Sequence, residues 1–202
     1  MAVFHPEGIK MTKKLLELGQ TILPENGKIL DLGCGDAATV NYLSFLGYEA
    51  MGIDKEIQNN QPNLLQGDMR SITFPDQTFD GVIAECSLAI SGDTKKVLSE
   101  CRRVLKENGV LFSSDVYFTP EQNVIAPKLS LPYSATKEVW FDLLEKEGLE
   151  ILHFVDQTQA WKSYYVQKLW EGIDVFDKWK CIGGCAKGSR PGYFILAARR
   201  RN

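Results

Sequence analysis

Two glycines one residue apart, Gly33 and Gly35, follow the apolar pair Ile29-Leu30 and the acid Asp31, and this order of residue types prepares a ligand site. The glycines remove side chains that would keep a ligand off the backbone, and a helix opening just after them offers its first free N–H groups. With Ala38 and an acid at Asp54, the spacing also fits a loose dinucleotide fingerprint in which the acid binds a ribose hydroxyl. Asp31 discriminates between the two readings. A pyrophosphate gains nothing from a carboxylate at the end of the strand, whereas a cation does. S-adenosylmethionine carries a sulfonium and an α-ammonium, so Asp31 beside the glycine turn suits it better, and the chemistry it brings is methyl transfer.

Methyl transfer is a displacement at a carbon the sulfonium already activates, so the protein mainly aligns an acceptor and excludes water. A base is needed for some acceptors only. Glu85 could steer the cofactor's methionine end or take a proton, and Cys86 beside it reads first as a packing residue. His5, ahead of the first helix, could act as a base near neutral pH or stand as a solvated helix-entry residue. Cys181-Ile182-Gly183-Gly184-Cys185 puts two thiols at a spacing that a soft metal, a metalloid or a reversible disulfide could use. His153 and Cys86 are the conceivable third ligands, and chance proximity in a loop is the simpler reading.

The run Lys28 to Ala38 resembles the first motif of the class I S-adenosylmethionine-dependent methyltransferases, and later segments continue the resemblance. Gly52-Ile53-Asp54 is similar to the second motif, whose acid takes the ribose hydroxyls. Gly67-Asp68-Met69-Arg70 is similar to the next, which implies that Asp68 accepts from the adenine amino group with Met69 against the ring. Arg102 to Leu111 resembles the helix, turn and fifth strand of the ubiquinone- and menaquinone-biosynthesis (type 11) group. The resemblance implies a cofactor set of Asp31, Gly33, Cys34, Gly35, Asp54, Lys55, Asp68, Met69 and Glu85. Ala37 departs from it, standing where a glycine is frequent. Ala84 to Leu88 lacks the Asn/Asp-Pro-Pro-Tyr pattern of nucleic-acid and protein-glutamine N-methyltransferases, which points to a small-molecule acceptor. Three other readings stand beside this one: a thiol or metalloid methyltransferase, an NAD(P)-dependent reductase, and a catalytically silent assembly partner.

These residues need elements to hold them. Met11, Leu15, Leu18 and Ile22 recur at helical spacing before Pro24-Glu25-Asn26-Gly27, giving a first helix within an N-terminal cap over 1–24. Strands follow at 28–32, 49–54, 63–66, 79–88 and 110–116, with a helix from the glycine turn to about Leu46. A second amphipathic stripe, Val97, Leu98, Cys101, Val104 and Leu105, stops at Asn108-Gly109, and Val139 to Leu144 forms another before Gly148. Leu149–Val155 and Tyr193–Ala198 complete an α/β, Rossmann-like domain with helices on both faces. The resemblance implies a seven-stranded, mostly parallel sheet in the order 3-2-1-4-5-7-6, the last strand antiparallel. In such a sheet the ligand lies outside the carboxyl ends of the strands where their order reverses. Segments 117–133 and 158–190 are expected on the substrate side or at an interface, and Trp161, Tyr165 and Leu169 share a helical face.

At 202 residues the chain fits one domain, residues 1–202. Its net charge of −3 and its single basic run, Arg199-Arg200-Arg201, argue against a nucleic-acid partner. No apolar stretch has membrane-spanning length, Met1 to Glu7 lacks a signal-peptide pattern, and the five cysteines are unpaired in spacing, so a cytoplasmic protein is expected, as a monomer or a homodimer.

Overall fold

The computed structural model describes residues 5–57, 61–119, 136–173 and 190–201. Its strands are β1 (Lys28–Leu32), β2 (Glu49–Asp54), β3 (Leu64–Gln66), β4 (Phe79–Glu85), β5 (Leu105–Thr119), β6 (Leu149–Asp156) and β7 (Arg190–Arg200). Its helices are α1 (Ile9–Glu17), α2 (Ala38–Phe45), α3 (Thr94–Val104), α4 (Lys137–Lys146) and α5 (Thr158–Trp170). The seven strands form one sheet in the order β3-β2-β1-β4-β5-β7-β6. The pairs from β3 to β5 are parallel, and β7 runs antiparallel to both β5 and β6.

Strands covered on both sides read as continuous apolar runs, and β1 follows that rule: after exposed Lys28, every residue to Leu32 is buried. The order reverses between β1 and β4, so the ends of those two strands, Leu32 and Glu85, border the crevice. α3 buries Val97, Leu98, Cys101 and Val104, and the Asp93 carboxylate caps its first turn by accepting from Lys96 N at 3.0 Å.

Several boundaries differ from the sequence reading. α1 ends at Glu17, and Ile22 is 39% exposed in the turns that follow. β4 stops at Glu85 because Cys86 turns into the left-handed region, with φ 51°. β5 begins at Leu105 and continues past Asn108, whose own left-handed φ of 61° bends the strand there. On α5, Trp161 and Tyr164 are buried and Tyr165 is partly buried against the core, while Leu169 is 47% exposed, so the Trp161–Tyr165–Leu169 stripe packs through its first two residues and Tyr164 widens the packed face. Trp161 lies against the Tyr193 ring of β7, centroids 5.6 Å apart and nearly parallel. Residues 120–133 and 174–189 of the two expected substrate-side segments lie outside the described residues.

Candidate functional site

At the end of β1 the backbone turns through three alternate residues with left-handed φ: Gly33 at 82°, Gly35 at 52° and Ala37 at 67°. Glycine takes this conformation freely, whereas alanine is held there at a cost of about 1 kcal/mol. The turn is clamped to β2, because Gly33 N and Cys34 N both donate to Ile53 O, at 2.8 and 3.2 Å. Gly52 makes room for it: a Cβ there would meet Cys34 Sγ at 2.7 Å. Cys34 is thereby buried at 6% exposure, and its thiol is pushed up to about 12 by burial first and then by Asp31.

Asp54, nineteen residues after Gly35, closes the turn from the next strand. One of its oxygens accepts from Gly35 N at 2.9 Å and the other from Glu56 N at 3.0 Å. The carboxylate is therefore fixed in orientation while its remaining lone pairs stay available to a ligand. A Cβ added at Gly35 would meet nothing within 4 Å, so a ligand can approach that stretch of backbone closely.

These groups surround a cavity of about 380 Å³ lined by Asp31, Gly33, Cys34, Gly35, Asp36, Asp54, Lys55, Met69, Glu85 and Cys86 among others. Asp31 is 4% exposed. Its carboxyl is held well above the usual carboxylate range by burial, then by the nearby charges of Glu85, Asp54 and Asp36. Four acids around one small space create a field that a cationic ligand group relieves. A ligand with a positive charge near Asp31 and hydroxyls near Asp54 fits this donor and acceptor set.

Glu85 is held from two helices, accepting from Thr12 Oγ1 at 2.9 and 3.2 Å and from Thr39 Oγ1 at 3.1 Å. Burial raises its carboxyl, against the opposing effects of His5 and the two threonines. His5 also lines the cavity, 8% exposed and with no hydrogen-bond partner on Nδ1. Cys86 Sγ lies 3.4 Å from Tyr193 Oη, which donates to Ser114 Oγ at 2.9 Å. Burial and then the Asp115 charge push the Cys86 thiol well up, so it stays protonated at neutral pH and is a poor nucleophile or metal ligand.

Asp68 sits apart from the others. Its carboxylate turns to Arg70, with Nη2 at 2.5 Å and Nε at 3.0 and 3.1 Å, and Lys55 Nζ stands 3.7 Å away. This pairing holds the carboxyl below the usual range, and Asp68 is not part of the cavity lining, whereas its neighbour Met69 is. Cys181 and Cys185 lie outside the described residues, His153 is exposed on the edge strand β6, and among the described residues no three His, Cys, Asp or Glu side chains are grouped to hold a metal.

The sequence reading left out Thr12, Thr39, Ile90 and Ser91. Thr12 carried a usable signal: it lies among Met11, Leu15 and Leu16 on the buried side of α1, where a hydroxyl needs a partner. Ser87, Ile90 and Ser91 come from the loop after β4, whose course no local pattern announces.

Residues 30–113 match the family model described as "Methyltransferase domain". The demethylmenaquinone methyltransferase of Thermotoga maritima is 32% identical over 112 residues, covering 50% of this chain and 48% of that protein. The sarcosine/dimethylglycine N-methyltransferase of Aphanothece halophytica is 24% identical over 168 residues, covering 73% and 61%. The chain thus spans about half the length of curated relatives it matches. Among solved structures, the geranyl diphosphate C-methyltransferase of Streptomyces coelicolor A3(2), in complex with Mg2+, geranyl diphosphate and S-adenosyl-L-homocysteine, superposes with a TM-score of 0.71. That likeness covers 94% of this chain and 79% of the other at 14% identity, and it concerns the fold.

Proposed function

We propose, from the premise that this chain carries a class I S-adenosylmethionine-dependent methyltransferase domain of the type 11 group, that it transfers a methyl group in line to a small-molecule acceptor. The observation that carries the reading is the pairing of Asp31 with Asp54 across the Gly33–Gly35 turn in one cavity. When bound, S-adenosylmethionine supplies a methyl group on a positively charged sulfur. Asp31 takes the ammonium end, the acid least reconciled to its surroundings. Asp54, already aligned by Gly35 N and Glu56 N, accepts from the ribose hydroxyls. Gly33, Cys34 and Gly35 offer backbone, Met69 offers an apolar surface, and Lys55 stands at the rim. Asp68 would join this set through the adenine amino group only on releasing part of its hold on Arg70.

On the acceptor side stand His5, Glu85 and Cys86. His5 is the side chain suited to take a proton from an acceptor that must lose one, with the Glu85 carboxyl beside it in the same wall. Cys86 stays a neutral wall. A chain with a −3 net charge and an acid-lined cavity of this size suits a small molecule better than a polyanion.

The test is to incubate the protein with S-adenosylmethionine labelled on the methyl group and a metabolite extract stripped of macromolecules, then with nucleic acid and protein fractions. Label appearing in low-mass products supports the reading. Label confined to nucleic acid or protein contradicts it.

A further inference from the structure

The loop that follows β4 supplies Ser87, Ile90 and Ser91 to the cavity wall, yet its own middle, Leu88 and Ala89, takes no part in that wall and is 1% exposed at each residue. Such a buried stretch needs partners for its backbone N–H groups. One side chain supplies them. Asp115, on β5 and 0% exposed, accepts from Ala89 N at 2.9 Å through one carboxylate oxygen, and from Val116 N at 2.8 Å through the other. The Leu88 backbone also favours its ionised form. The same loop residue, Leu88, accepts from Thr94 Oγ1 at 3.1 Å, so the stretch is tied to both β5 and the start of α3.

A buried carboxylate is costly, and an apolar residue would close the same gap more cheaply unless the charge has a task. Its place suggests one. Asp115 is one residue beyond Ser114, which pairs in register with Glu85, so the acid sits level with the point where β4 ends and the cavity begins. Cys86 makes the turn there with a left-handed φ of 51°, a conformation a non-glycine residue holds only when its surroundings fix it.

We propose that Asp115 is a positioning residue for ligand binding: it sets where Ser87, Ile90 and Ser91 stand in the wall of the cavity, acting through the loop backbone and touching no ligand itself. The role rests on the cofactor reading above. Neither its register partner on β7, Phe194, nor the Cys86 thiol on which its charge acts brings a positive charge to Asp115. Burial accordingly pushes its carboxyl up to about 7, against the three backbone N–H groups that pull it down. Protonation of one oxygen weakens that oxygen as an acceptor, so the loop is held best above neutral pH.

The experiment compares wild type with Asp115→Asn, which keeps the shape but replaces one acceptor with a donor. S-adenosylhomocysteine affinity is measured by calorimetry at pH 6, 7 and 8, with amide exchange of Leu88 and Ala89 set against Leu111 and Phe112 in the middle of β5. The expected result is an affinity about tenfold weaker at pH 8, the loss of roughly one charge-assisted hydrogen bond. Exchange should be faster at the loop alone, and the rise in wild-type affinity from pH 6 to 8 should be smaller in the variant. A folded variant with wild-type affinity and pH dependence overturns the proposal, and so does a loss of protection spread evenly over β5. If the variant does not fold, the wild-type protein decides: the Ala89 and Val116 amide protons should titrate with one shared midpoint near pH 7, and independent or absent titration overturns the role. Wild type that binds no S-adenosylhomocysteine counts against the cofactor reading, and the amide titration then still judges the Asp115 contact.

Discussion

Asp31→Asn should make the protein more stable and its cofactor binding weaker. Asp31 is 4% exposed, and its carboxyl is raised by burial and by three neighbouring acids, Glu85, Asp54 and Asp36. A group whose folded pKa lies above its unfolded value adds stability below the unfolded value and loses it as pH rises through the folded one. The wild type should therefore lose stability from about pH 4 upward relative to the variant, whose amide does not ionise. At pH 4 the two should melt together. By pH 8 relief of a desolvated, repelled charge, of order 1 to 3 kcal/mol, should raise the variant's Tm by roughly 2 to 12 °C at this chain length. S-adenosylhomocysteine affinity moves the other way, because the ammonium loses a charge-assisted hydrogen bond of about 1.5 to 3 kcal/mol, or about 10- to 150-fold. Calorimetric melting across pH 4 to 8, with titrations at pH 8, reads both. The reasoning fails if the variant melts below wild type at pH 8, or if its affinity is unchanged.

Three further outcomes follow from the geometry. Gly33→Ala places a Cβ 2.8 Å from Ser87 Cβ at a φ of 82°, so it should cost about 2 kcal/mol, lower Tm by about 5 °C and weaken S-adenosylhomocysteine binding at least about tenfold in calorimetry. Glu100→Gln disturbs the acceptor of Ile72 N at 2.8 Å and the partner of Arg103. The wild-type carboxyl is lowered, first by Arg103, so its contribution is present above pH 4.5 and is lost as pH falls through the folded value. The variant should melt about 4 °C lower at pH 7, with a gap that narrows in acid when thermal scans are run down the pH series. Tyr193→Phe removes the donor to Ser114 Oγ and should lower stability by about 1 kcal/mol in denaturant titration. Alkylation of Cys86 at pH 8 should stay slow in that variant, because burial is the larger cause of its raised pKa.

Much of the frame was legible because its signals are local. β1 announced itself as an apolar run ended by glycines, and α3 as a stripe ended near Asn108-Gly109, although β5 already starts at Leu105, before that turn. The order of the strands came from the resemblance of several motifs taken together, and the sheet follows it. Asp31, Gly35 and Asp54 were legible as a set because one strand and one helix separate them by a fixed length, and the cavity brings them together. Asp68 looked like Asp54 in sequence, and a spacing rule does not register that the arginine two residues on already holds its carboxylate. What else escaped depends on distant partners. The extent of α5's packed face was legible only in part: Trp161 stacks on Tyr193, which comes late in the chain, and Tyr164 beside it is buried where Leu169 is exposed. Asp115 sits in an apolar strand where a sequence reading sees only an interruption, and the loop N–H it holds, that of Ala89, lies 26 residues earlier.

The measurement that bears most directly on the central claim is calorimetric titration of the reduced protein with S-adenosylmethionine, S-adenosylhomocysteine and NAD in parallel, repeated with Asp54→Ala. Saturable binding of the first two, weakened in the variant, with no binding of NAD, is the predicted result. Binding of NAD alone, or equal affinity of wild type and variant for S-adenosylhomocysteine, would contradict the assignment of this cavity.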